Sequence, residues 1–109
     1  MNDKENELYR IVDIVVECCA QKVDDDGTMS VTREEVLGKS RKENVVMTRV
    51  ILAEMIVYAG YSVTTAAQLM HHTNAAVRKL LAKAQDFRRS GRAFRIAEAE
   101  ATRRCNAED

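Results

Sequence analysis

Proline and tryptophan are absent from this chain, and glycine occurs only four times in 109 residues. Sheet-rich folds rely on glycine and proline at their turns, so this scarcity favours helices joined by short connections. Aromatics are limited to three tyrosines and two phenylalanines, which leaves the core to aliphatic side chains. Cysteine is sparse too. Cys18 and Cys19 are adjacent and Cys105 stands apart, an odd count without framework spacing, which suits a reducing cytosol. These cysteines do not combine with His71 and His72 into a paired zinc-ligand pattern. One of Cys18 or Cys19 is expected to face the core as a small hydrophobe. No apolar run approaches the roughly 20 residues that a membrane span needs. The charged start, MNDKENELYR, lacks a signal-peptide pattern, so the expectation is a cytoplasmic protein with no membrane partner. There is no nucleophile elbow, no phosphate-cradling GxxxxGK[ST] loop and no carboxylate pair near a histidine. Hence no catalytic residue, metal, cofactor or small-molecule substrate is expected, and the chain does not read as an enzyme.

The composition is that of one ordinary soluble domain, with 46% hydrophobic and 31% charged residues and a net charge of zero. The distribution of charge is more informative than its sum. From Met1 to Val36, ten acidic residues stand against Lys4, Arg10, Lys22 and Arg33. From Leu37 to Arg49 the bases lead, with Lys39, Arg41, Lys42 and Arg49 against Glu43. From Thr73 to Arg95 the excess grows: Arg78, Lys79, Lys83, Arg88, Arg89, Arg92 and Arg95 against Asp86. An acidic end and a basic end fit one-sided docking onto phosphate.

Apolar spacing predicts the elements. Leu8, Ile11, Val12, Val15, Val16 and Cys19 recur at three and four, one face of a helix over about 5–22. Asp24 to Gly27 reads as an exposed turn. Thr32 followed by Glu35 is a capping box, so a short helix should cover Arg33 to Leu37 and stop at Gly38. Lys39 to Asn44 reads as a basic polar loop. From about Val45 to Ala59 apolar residues cover most of the circumference, the signature of a helix buried at the centre of a bundle, ended by Gly60. Ser62 to Met70 is a short helix capped by Ser62 or Thr64. His71 and His72 form a turn, and a further helix capped by Thr73 or Asn74 runs to about Arg89. Ser90-Gly91 permits a bend before a helix-prone tail, 91–109, with Phe94, Ile96, Ala97 and Ala101 on roughly one face. The tail could pack back, pair with a second copy or protein partner, or extend along DNA.

The order buried helix, short helix, tight turn and basic helix is that of a helix-turn-helix, whose second helix enters the major groove N-terminus first. Groove-facing positions would be Thr73, Asn74, Arg78 and Lys79. Asn pairs bidentately with adenine and Arg with guanine. Lys83, Arg88 and Arg89 suit phosphate, with His71 and His72 in the turn beside it.

Residues 31–84 resemble the C-terminal DNA-binding domain of the bacterial replication initiator DnaA, of the Trp-repressor-like group. The matching residues are Glu34-Glu35-Val36-Leu37, Lys39 and Arg41 in the basic loop, Val45, Arg49 and Ile51, then Ser62, Ala67 and Leu69, and finally Val77, without gaps. The resemblance implies an all-α bundle with a helix-turn-helix over 31–89 inside a single domain, 1–109. It implies that Arg41, beside Lys39 and Lys42, enters the minor groove, and that Arg49 contacts backbone phosphate. The departures are specific. Where the family has Asp-His-Thr-Thr-Val at the head of its reading helix, this chain has Thr73, Asn74, Ala75, Ala76 and Val77. Glu43 and Met47 stand where bases are expected. The expectation is therefore a stand-alone double-stranded DNA binder of altered or relaxed sequence preference, a regulator or an accessory factor of replication or a mobile element. The alternative is a protein-interaction module that kept the fold and lost DNA binding.

Overall fold

The computed structural model describes residues 3–20 and 31–107, and six helices and no strand account for 82% of them. They are α1 (Asp3–Ala20), α2 (Arg33–Val36), α3 (Glu43–Tyr58), α4 (Val63–Met70), α5 (Asn74–Ser90) and α6 (Arg92–Asn106). The fold is the expected small all-α bundle. The expected turn at Asp24–Gly27 and the last turn of the first helix, to Lys22, lie outside the described residues.

Helix α3 is the axis of the molecule and packs against all five others. Every residue from Thr48 to Ile56 is buried. That is what its sequence demands, because a helix apolar on all sides must be surrounded. It begins two residues earlier than expected, so Glu43 and Asn44 belong to its first turn rather than to the loop. Its end is a Schellman motif. The Gly60 amide donates to the Val57 carbonyl and the Tyr61 amide to that of Ile56, with Gly60 at φ 99°. A residue with a Cβ is strained there, which is why glycine stands at the stop.

Helix α1 lays Leu8, Ile11, Val12, Val15, Cys18 and Cys19 into the core. Both adjacent cysteines are buried, where one was expected to be. Thr32 and Glu35 form the capping box: the Glu35 amide donates to Thr32 Oγ1, and the Thr32 amide to Glu35 Oε1. Ser62, not Thr64, caps α4 by accepting from the Thr65 amide at 3.1 Å.

Of the fates left open for the tail, the structure shows the first, packing back on the domain. Helix α6 folds back on α1, α3 and α5 and buries Phe94, Ala97 and Ala101. Phe94 stacks on Phe87 across the α5–α6 corner, ring centroids 5.3 Å apart. Ile96 departs from the expected inward face and is half exposed. The buried stripe is the a/d-like series 94, 97, 101, and Ile96 falls beside it.

Candidate nucleic-acid interface

The loop between α2 and α3 carries Lys39, Arg41 and Lys42, all exposed. It is held from beneath by Arg49, which lies on α3 and is 4% exposed. The Arg49 guanidinium donates to the carbonyls of Val36 at 2.8 Å, Ser40 at 2.5 Å, Glu35 at 2.8 Å and Gly38 at 2.8 Å. The carbonyls of Val36, Gly38 and Ser40 are ones that a four-residue helix and a tight loop leave without backbone donors, while that of Glu35 also accepts from the Gly38 amide at 3.2 Å. Burial pulls the Arg49 pKa down, but guanidinium stays protonated in proteins. Gly38 has no alternative here, since a Cβ would meet the Glu34 carbonyl oxygen at 2.8 Å. The expectation that Arg49 contacts backbone phosphate is therefore corrected: it is buried, and four of its five N–H donors are spent inside the protein. The warning in the sequence was its place between Thr48 and Val50, in the middle of a helix buried on all sides.

The turn between α4 and α5 repeats the Schellman geometry without glycine. The His72 amide donates to the Ala67 carbonyl at 2.9 Å and the His71 amide to that of Gln68 at 3.3 Å. His71 occupies the left-handed region at φ 58° and ψ 40°. His72 is half-buried and its Nε2 has no hydrogen-bond partner. Burial pushes its pKa down, and the nearby charges of Arg49, Lys39 and His71 push the same way. Thr73 caps α5 by accepting from the Ala76 amide at 3.1 Å, which uses one lone pair of its hydroxyl and leaves its single O–H donor.

Two hydrogen bonds join these pieces. Lys39 Nζ donates to the His71 carbonyl at 2.9 Å, tying the basic loop to the turn. Asn74 Nδ2 donates to Thr64 Oγ1 at 3.0 Å, tying the head of α5 to α4. Neither was visible in the sequence, because each spans elements that only the fold brings together.

Helix α5 buries Val77 and Ala84 and half-buries Leu80, Leu81, Phe87 and Arg88. Its opposite stripe exposes Ala75, Arg78, Lys79, Ala82 and Lys83. Among the described residues, Arg41, Arg78, Lys79 and Lys83 form no ion pair, and Lys42 reaches only Glu35, at 3.5 Å. Arg88 is different. Partly exposed, it pairs with the buried Glu54 of α3, and its Nε also donates to both Glu98 carboxylate oxygens at 3.0 Å, so its charge is already met by two carboxyl groups. The expected phosphate role of Arg88 is corrected accordingly. Glu54, a lone carboxylate among apolar residues of the central helix, was the sign that a cation must come to meet it.

The sequence-expected residues thus divide. Lys39, Arg41, Lys42, Arg78, Lys79 and Lys83 offer exposed cationic groups; His71, His72, Thr73 and Asn74 form the turn and the helix head between them; Arg49 is internal. Such an arrangement can neutralise phosphates from two segments at once. No helix among the described residues is long and apolar enough to cross a membrane. No protein-family model matches the chain, nor does any curated protein or solved structure.

Proposed function

We propose that this chain binds double-stranded DNA, with α4 and α5 acting as a helix-turn-helix and the 39–42 loop as a second contact. It would serve as a regulator or as an accessory factor of replication or a mobile element. The resemblance to the DnaA C-terminal domain supports this reading. The observation that carries it is the Lys39–His71 bond, which fixes the basic loop beside the head of the basic helix. Charges on two flexible segments would have to be ordered at each encounter, at an entropic cost. Charges on segments already tied together meet the phosphate backbone pre-organised.

The test is binding to random-sequence duplex across a salt series. Six cations, Lys39, Arg41, Lys42, Arg78, Lys79 and Lys83, give a slope of log affinity against log salt of about −5 if all make phosphate contacts. Lys83→Ala should flatten that slope by about one and weaken every duplex equally. Absence of binding at low salt would discard the reading in favour of a protein-interaction module.

A further inference from the structure

Resting on that reading, we infer that Asn74 reads adenine at one position of the bound duplex and that Thr64 is the residue that positions it. An asparagine amide has two N–H donors and one carbonyl acceptor. One N–H is engaged by Thr64 Oγ1 at 3.0 Å. The other N–H and Oδ1 remain, and these are the donor and acceptor that adenine requires: the amide donates to N7 and accepts from the N6 amino group. The bond to Thr64 spans two helices, so it fixes the amide plane against both arms of the helix-turn-helix. A free asparagine would lose rotamer freedom on reading a base, whereas one already held loses less. The neighbouring groups do not compete. The Thr73 hydroxyl accepts from the Ala76 amide and keeps one rotatable O–H, which bonds acceptors of any base without discriminating, and Ala75 and Ala76 carry no polar side-chain group. Base discrimination at the start of α5 therefore falls to Asn74, and the preference is altered rather than erased.

The experiment selects duplexes bound by the whole chain from a random pool, then measures affinity for the selected site with each base at the preferred position. Wild type should favour adenine by about 5- to 150-fold, the range of one good bidentate contact. Asn74→Ala should abolish that ratio, and 7-deaza-adenine at the same position, which lacks the N7 acceptor and keeps the N6 amino group, should lower it. Thr64→Val, a β-branched isostere at an exposed site, should lower the ratio while leaving affinity for non-preferred duplexes unchanged. Thr64→Ser, which restores the acceptor, should recover it. Duplex binding without an adenine preference, or a preference that Thr64→Val leaves intact, overturns the inference while the proposed function stands. No duplex binding at any salt overturns both.

Discussion

His71, exposed in the turn, and Arg49, buried beneath the basic loop, have opposite effects on stability. His71 sits in the left-handed region at φ 58°, where Gly60 stands in the equivalent motif at the end of α3. A side chain there costs about 1 kcal/mol relative to glycine. His71→Gly should therefore raise stability by about 1 kcal/mol in denaturant unfolding, and a loss of stability would show that the histidine ring contributes packing that outweighs the strain. Arg49 makes the opposite case. Four carbonyls lose a guanidinium donor if it is truncated, and three of them, those of Val36, Gly38 and Ser40, are left with none; each buried acceptor left unpaired costs about 1–3 kcal/mol. Arg49→Ala should cost at least ~3 kcal/mol, and Arg49→Lys should recover little, because an ammonium cannot reproduce the planar fork. A variant that unfolds at the wild-type denaturant midpoint would refute this. Arg49 and Arg41 differ in their setting: Arg49 lies mid-way along the helix buried on all sides, and Arg41 in the exposed loop.

At the scale of elements, α3, α5 and α6 are joined by a polar cluster. Arg88 of α5 lies between Glu54 of α3 and Glu98 of α6, and Tyr58 donates to Glu54 at 3.3 Å. Two carboxylates facing one guanidinium carry a net negative charge unless they hold a proton. Burial pushes Glu54 up to about 8, and the adjoining Glu98 pushes the same way, against the attraction of Arg88. Its Oε1 is buried without a donor, which suits a protonated carboxyl better than a carboxylate. Glu98 moves down: against the upward push of burial, its hydrogen bonds with Arg88 and Glu54 favour the ionised form. The signs follow. Between the unfolded value of 4.5 and about 8, the folded state keeps a Glu54 proton that the unfolded chain has released. Stability should then fall as pH rises through that window, by at most about 1.4 kcal/mol per pH unit. Glu98 contributes in the other direction, losing its stabilisation as pH drops below 4.5. Glu54→Gln keeps the shape and cannot titrate, so its stability between pH 5 and 8 should be flatter than wild type. Equal slopes for the two proteins would place the proton elsewhere.

Across the whole molecule, α6 is a structural member of the bundle. Phe94 is fully buried at the corner with α5, stacked on Phe87. Phe94→Ala should cost about 3–5 kcal/mol, measurable by thermal or chemical unfolding, and a near-neutral effect would mean that the tail contributes little to the core. The helices themselves, the cap at Thr32, the Gly60 stop and the burial of α3 were all legible in the sequence, while the cap of α4 stood open between Ser62 and Thr64. Each follows from local physics: periodicity of apolar side chains, hydroxyls that accept from the first-turn amides, and a residue able to take a positive φ. The fold class follows from the same signals. What only the tertiary structure decided is which cations face outward. Arg49 and Arg88 belong to basic runs in the sequence, yet one satisfies the carbonyls of the loop and the other joins Glu54 and Glu98. Lys39, Arg41, Lys42, Arg78, Lys79 and Lys83 keep their charges exposed, with Lys39 tying loop to turn. A charge in a sequence is a number, whereas its availability depends on what long-range packing brings within hydrogen-bond reach. Local pattern determined the helices, and contacts between residues distant in the chain determined which of their charges remain free.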